Sequence, residues 1–314
     1  ERGGEIFLVP TRSENFFGAF NGIRLVVSKN KYDYVLKLGE HSLAVLDLIA
    51  AKLGGSKILA VRACNAPTGL SIFHRVIHFL GRPFLNCITN VKIAPSILAA
   101  EFLFGKNEDV HILHNGVDLN IFRYDLTDRD SIREEFGLED KLVIGHIGRF
   151  HKQKNHRFLL EVFKEISVLR EDAVLLLVGT GELKDQICEW IKTFNLEGKV
   201  ILTGQRFDIP QLLSAMDVFV FPSLYEGMPN TVIEAQATGL PCIIADTITK
   251  ETNITGLVNY LPLAISSNEW AKVVLNTISS IRKDTHNDFI IHRYDIKSVA
   301  KEFVSILGIN DDNN

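Results

Sequence analysis

The sequence predicts an α/β fold of two Rossmann-like, doubly wound units built on parallel sheets. Short strand-like apolar runs alternate with amphipathic helical stretches along the chain, the pattern of parallel sheets covered on both faces. The alternation breaks once, at the polar and charged stretch FRYDLTDRDSIREEFGLEDK, so 1–121 and 142–314 read as two domains joined by a linker at 122–141. The length of 314 residues fits that division, at ~150 residues per domain.

In the first unit the strands are expected at 6–9, 34–38, 58–62, 91–94 and 111–113, with helices between them. The helix at 71–82 places Ile72, Phe73, Val76, Ile77 and Leu80 on one face and Arg75, His78 and Arg82 elsewhere. A stripe of that width predicts a helix covering its own sheet. The competing expectation is a basic amphipathic helix resting on an anionic membrane. In the second unit 142–147 reads as a strand, followed by a helix at 155–169, a strand at 174–178, a helix at 183–194, a strand at 200–202, a helix at 210–215 and a strand within 217–222.

The stretch PSLYEGMPNTVIEAQATGLPCIIAD (222–246) comes next. Pro229 suits the first turn of a helix, where its missing N–H would be unpaired anyway. Gly239 can adopt the left-handed conformation that ends the helix, and Pro241 cannot continue it, so CIIA (242–245) returns as a strand. Glu226 precedes the helix and Glu234 lies about one turn inside it. The loop 227–230 aims free N–H groups and the positive end of a helix dipole past the strand ends, which is a site for an anion. Carboxylates beside it accept hydrogen bonds from hydroxyls, so the expected ligand is polyhydroxylated and phosphorylated.

Upstream, GRFHKQKNH follows the strand at 142–147. The backbone is expected to turn at Gly145 and Gly148 and to deliver Arg149, a planar fork for phosphate oxygens, and Lys154, a mobile point charge. LLVGTGELK sets Gly179 and Gly181 between a strand and a helix. Lys184 stands where a third glycine would complete a dinucleotide fingerprint, which argues against a nicotinamide dinucleotide. The Asp-x-Asp pattern Asp128-Arg129-Asp130 falls in the linker and reads as a solvated charge run, so no metal site is expected.

Composition narrows the rest. A formal charge of −4 argues against nucleic acid as the main partner. No apolar run approaches the ~18 to 20 residues that span a bilayer. The start, ERGGEIFLVP, carries no signal-peptide pattern. Cys64, Cys87, Cys188 and Cys242 are scattered with no C-x-x-C, as expected for thiols in a reducing cytoplasm.

PSLYEGMPNTVIEAQATGLP resembles the donor-binding signature of retaining glycosyltransferases of the GT-B fold, in the family four group that builds capsular and exopolysaccharides. HNGVD (114–118), IGRFHKQKNH (147–156), LLVGTGEL (176–183), GQRFDIPQLLSAMDVFVFPS (204–223) and DTITKE (246–251) extend the resemblance in order and spacing. It implies two Rossmann-like domains facing a cleft. It also implies transfer of a sugar from a nucleotide diphosphate donor, expected to be UDP-linked, to a hydroxyl of a surface or lipid-linked glycan, with retention and without a metal cofactor. By resemblance Arg149, Lys154 and Glu226 are catalytic: the two cations neutralise the departing diphosphate and Glu226 contacts the donor sugar. Glu234 is expected to hold the ribose hydroxyls. Gly148, Gly179, Gly181, Gly227, Met228, Pro229 and Asn230 complete the donor site, and the main chain at Gln205 and Arg206 edges the base.

Two features depart from the family pattern. Relatives open their first domain with a strand, a glycine-rich loop, a helix and a strand, and the chain as read starts after them. The N-terminal domain is therefore expected to be incomplete, with open internal strand edges. At AVRACNAP (60–67), where relatives carry a histidine-rich loop, Arg62 and Cys64 stand where histidine is expected and Asn65 matches. His41 is the nearest substitute, so Arg62, Asn65 and His41 are the acceptor-side candidates. The departures keep two rivals in view: a donor-binding subunit that depends on a partner subunit, and a nucleotide-sugar epimerase. The expected location is the cytoplasm, with peripheral contact at the inner face of the cell membrane.

Overall fold

The computed structural model describes residues 4–64, 72–278 and 281–309. The chain divides into two compact units, Glu1–His114 with Ala300–Asn314 and Asn115–Val299.

The first unit runs α1 (Phe16–Asn30), β1 (Tyr34–Gly39), α2 (Ala44–Leu53), β2 (Ile58–Ala63), α3 (Ile72–Ile88), β3 (Val91–Ala94), α4 (Ile97–Leu103) and β4 (His111–Ile112). Its sheet is parallel in the order β1-β2-β3-β4. The core forms where Leu48 and Ala51 of α2, Leu85 of α3 and Leu103 of α4 meet Leu59, Val61 and Ala94 of the sheet. The expected strand at 6–9 is not formed: it has no sheet partner, and Ile6 and Leu8 are exposed. β1 is an edge strand, with Tyr34, Leu36 and Leu38 exposed.

α3 overturns the expectation that it covers its own sheet with its apolar stripe. Ile72, Phe73, Val76, Phe79, Leu80 and Phe84 are all exposed, and the helix meets its unit through His78, Gly81 and Leu85. The His78 ring stacks on Phe102 at 4.5 Å, its Nδ1 accepts from the Ser42 N–H at 3.0 Å, and its Nε2–H donates to the Phe102 carbonyl at 2.9 Å. Burial pushes the His78 pKa down, which favours that neutral form. A Cβ at Gly81 would lie 2.6 Å from the Ser42 hydroxyl oxygen, so a glycine permits the close approach. Two polar contacts and a missing side chain thus outweigh the hydrophobic pattern in orienting this helix.

The second unit runs α5 (Leu126–Phe136), β5 (Leu142–Ile147), α6 (His156–Leu169), β6 (Ala173–Val178), α7 (Lys184–Thr193), β7 (Val200–Gly204), α8 (Ile209–Ala215), β8 (Val218–Phe221), α9 (Asn230–Ala237), β9 (Cys242–Ala245), β10 (Val258–Leu261), α10 (Ser267–Thr277), α11 (His286–Ile291) and α12 (Ile296–Ile306), the last crossing the unit boundary. The sheet order is β10-β9-β8-β5-β6-β7, parallel throughout. Every residue of β5, β6, β8 and β9 is buried, as a sheet covered on both faces requires. Phe163 and Ile166 of α6, Ile187 of α7 and Trp270 of α10 pack on one face, and Leu212 of α8 and Val232 of α9 on the other. Strand order reverses between β5 and β8, and the crevice at that switch point is where open α/β sheets bind ligands.

The linker expected at 122–141 is mostly the helix α5. Asp125 caps it by accepting from the N–H groups of Thr127 and Asp128, and Gly137 ends it at φ 64°. Its polar composition hides a narrow apolar edge: Ile132 and Leu138 enter the core. Within the charge run Asp130 is exposed as expected, but Arg129 is drawn inward. Arg129 and Arg133 bind the two oxygens of Asp217 at 2.6 and 2.8 Å, and both also donate to the Ala215 carbonyl. Gly145 makes no turn: it lies inside β5, where a Cβ would collide with the Met216 sulfur.

Candidate functional site

The loops leaving the carboxyl ends of β5, β6 and β8 come together because small residues let their backbones touch. Gly179 sits at φ 138°, and a Cβ there would collide with the Gly148 carbonyl oxygen; one at Gly181 would lie 2.5 Å from that of Phe150. The Phe150 N–H donates to the Thr180 carbonyl at 2.9 Å, and the buried Phe150 ring anchors the loop below Arg149. A short 3₁₀ turn, Lys152–Lys154, follows. Asn155 then takes the left-handed conformation at φ 56°, which asparagine tolerates, and redirects the chain into α6.

That turn is tied to the loop after β8. The Gln153 side chain donates to the Tyr225 carbonyl at 2.8 Å, the Gln153 main-chain carbonyl accepts from the Leu224 N–H at 2.8 Å, and Asn155 Nδ2 donates to the Pro222 carbonyl at 3.2 Å. Lys154 Nζ consequently lies 2.7 Å from Glu226 Oε1 and 4.6 Å from the centre of the Phe221 ring. The two charged side chains are only 17% and 10% exposed, so each depends on the other for compensation.

Beyond Glu226, Met228 is buried and accepts from the Thr252 hydroxyl through its sulfur at 3.7 Å. Pro229 occupies the cap position rather than the first turn, and α9 begins at Asn230, whose Oδ1 accepts from Asn115 Nδ2 at 2.7 Å. Among the described residues the N–H groups of Gly227, Met228 and Asn230 have no protein acceptor. Glu234 lies one turn into α9. Burial pushes its pKa above the ordinary carboxylate value, and its carboxylate has no hydrogen-bond or ion-pair partner among the described residues.

The other expected groups differ in their freedom. Arg149 is mostly exposed and rests on Glu182 at 3.3 Å, as does His151 at 3.4 Å. The Arg206 guanidinium is committed to Glu135 and Asp208 at 2.7 and 2.5 Å, which leaves the exposed Gln205 and the main chain there as the accessible groups. In the first unit, His41 Nδ1 accepts from the Leu43 N–H at 3.3 Å and its Nε2–H donates to the His74 carbonyl at 2.9 Å, so both ring nitrogens are engaged in holding a turn. Arg62, in register with Leu38 of β1, donates to the Leu113 and His114 carbonyls at 3.4 Å. Asn65 lies outside the described residues.

Beneath the loops lie two buried imidazoles, His146 and His156, with ring centres 5.0 Å apart. His146 Nδ1–H donates to the Val220 carbonyl at 2.9 Å. Burial, and then the Lys154 charge, lower the His156 pKa to about 4; burial, followed by His156, drives that of His146 well down as well. Sequence reasoning assigned no role to Gln153, Asn155, Glu182, Asn115 or these histidines. A signal existed for Asn155, His156 and Asn115, in KQKNH and HNGVD, where an amide or imidazole stands beside a cation or a glycine. Among the described residues no cluster of three or more His, Cys, Asp or Glu side chains is arranged to hold a metal ion.

Comparison with known proteins agrees with this geometry. Residues 141–280 match the family described as glycosyl transferases group 1. The chain is 32% identical to glycosyltransferase EpsF of Bacillus subtilis over 292 residues, covering 89% of this chain and 75% of that protein. It is 40% identical over 141 residues, 44% of this chain and 36% of the relative, to the Escherichia coli UDP-Gal:alpha-D-GlcNAc-diphosphoundecaprenol alpha-1,3-galactosyltransferase. The structure of Anabaena HepE, solved in complex with UDP and glucose, superposes with a TM-score of 0.78 at 21% identity, covering 97% of this chain and 85% of that one. The chain belongs to the glycosyl transferases group 1 family and is a glycosyltransferase with the GT-B fold.

Proposed function

We propose that this glycosyltransferase takes its sugar from a UDP-linked donor and passes it, with retention at the anomeric carbon, to a hydroxyl of a lipid-linked or surface glycan. The observation that carries the proposal is the Lys154–Glu226 pair at the switch point, beside three unpaired N–H groups and the unpartnered Glu234 carboxylate. A diphosphate beside α9 would receive the N–H groups of Gly227, Met228 and Asn230 together with the Arg149 and Lys154 cations. As the bond from the sugar to the diphosphate breaks, negative charge builds on the leaving oxygen, and cations already in place lower that barrier by several kcal/mol, about 3 to 4 per well-placed donor. Glu234 is assigned to the ribose hydroxyls, because an ionised carboxylate without a partner is an acceptor that a diol can satisfy. Glu226, held by Lys154, is assigned to the hydroxyls of the donor sugar. Retention then follows from attack on the same face, with the leaving phosphate taking the acceptor proton.

UDP as the donor nucleotide is supported by the HepE complex and by the named donor of the E. coli relative, whose name also specifies a diphosphoundecaprenol-linked acceptor. Calorimetric titration with UDP tests the donor site. Arg149→Ala and Glu234→Ala are each expected to weaken binding at least tenfold, or ~1.4 kcal/mol; unchanged affinity in both would refute the assignment.

A further inference from the structure

The exposed face of α3 has no role in the donor site. Ile72, Phe73, Val76, Phe79, Leu80 and Phe84 follow one another at the spacing of a single helix face, and all are more than half exposed. Pro83 and Cys87, also exposed, continue the face, so no charged residue interrupts it. From Ile72 to Phe84 it extends ~18 Å at 1.5 Å per residue. Soluble monomers rarely leave a contiguous apolar patch of that extent uncovered.

The helix IFHRVIHFLGRPFLNCI carries no acidic residue, although the chain as a whole is net negative. Its two arginines lie beside the stripe: Arg75 is exposed, and the Arg82 guanidinium lies over the Phe79 ring at 5.7 Å. The surface is broad and edged by cations along one side. A coiled-coil partner would instead require a narrow seam from two positions per heptad, and Pro83 falls within this face.

We propose that α3 is an interfacial helix that seats the first unit on an anionic lipid bilayer, with its phenylalanines and aliphatic side chains in the acyl boundary and Arg75 and Arg82 among the headgroups. The purpose of the contact rests on the proposal that the acceptor is lipid-linked; the contact itself rests on α3.

Flotation with phosphatidylcholine vesicles, with and without phosphatidylglycerol, tests it on the full chain. The expected result is binding to the phosphatidylglycerol vesicles at least tenfold stronger than to phosphatidylcholine alone. Phe73→Asp together with Phe79→Asp should abolish that binding, and Arg75→Glu should weaken it severalfold. Because all three positions are exposed, circular dichroism should be unchanged, and UDP affinity measured on the same samples should equal that of the wild type. Loss of vesicle binding with UDP affinity intact supports α3 as the docking face. Wild-type protein that ignores both vesicle types, or variants that float as the wild type does, would overturn it. So would a dimer in sedimentation that the aspartates dissociate while vesicles remain unbound. Loss of UDP binding in the wild type would refute the donor site and leave the flotation result standing by itself.

Discussion

At the residue scale the site depends on charges held out of water. Lys154 and Glu226 are each nearly buried, so removing one strands the other: Lys154→Ala is expected to cost about 3 kcal/mol of stability. A double-mutant cycle with Glu226→Gln should show a coupling of roughly 0.5 to 3 kcal/mol in urea denaturation, and additive losses would mean that the pair contributes nothing as a pair. Glu234 carries the opposite signature. Burial disfavours its ionised form in the folded protein, so its contribution to stability is greatest below the ordinary carboxyl value of 4.5 and declines as pH rises through the raised value. Glu234→Gln should therefore raise the melting temperature slightly at pH 7 while weakening UDP binding, the trade expected of a residue kept for function. For His156 the folded pKa lies below the unfolded value of 6.5, near 4. Stability is therefore complete above pH 6.5 and falls as the pH drops toward about 4, by up to about 1.4 kcal/mol per unit. Urea midpoints at pH 7 and pH 5 measure this, and His156→Leu should reduce the difference. Lys154 and Glu226 were singled out by residue type and by resemblance, and folding brings the two together at 2.7 Å. Gln153 and Glu182 were not singled out, because an amide or an exposed carboxylate acquires a role only when folding brings a distant loop within reach.

At the element scale the buried strands were the most legible feature. β5 and β9 fall where the apolar runs place them, because a strand buried on both faces needs an unbroken apolar run. α5 was hidden because its contacts to the core are made largely by arginines. Arg129 and Arg133 grip Asp217, which also accepts from the Val143 N–H at 2.8 Å and so fixes the start of β5 against β8. Asp217→Ala leaves two arginines, a backbone donor and no anion; a loss of about 3 to 5 kcal/mol in chemical denaturation is expected. The glycine contacts make a sharper claim about the site. Gly179→Ala drives a methyl into the Gly148 carbonyl and also loses a favourable backbone conformation. Overpacking of this kind costs about 1 to 3 kcal/mol. The displaced loop carries Arg149, so UDP affinity should fall together with stability.

At the scale of the whole molecule, the alternation of strands and helices was enough to predict two α/β units, and the order β10-β9-β8-β5-β6-β7 places the switch point beside the residues that resemblance singled out. The orientation of α3 could not be read in the same way. The spacing of its apolar residues establishes that the helix has an apolar face, and only the contacts of His78, Gly81 and Leu85 decide where that face points. Polar composition marked 122–141 as the linker, whereas compactness divides the chain after His114 and groups Ala300–Asn314 with the first unit.

The central claim is that the switch-point loops of the second unit hold the donor diphosphate. A crystal structure with UDP bound tests it most directly. The phosphates are expected beside the N–H groups of Gly227 and Asn230, within reach of Arg149 and Lys154, with the ribose hydroxyls on Glu234 and the uracil along the main chain at Gln205 and Arg206. UDP bound elsewhere, with the Lys154–Glu226 pair and the Glu234 carboxylate untouched, would contradict it.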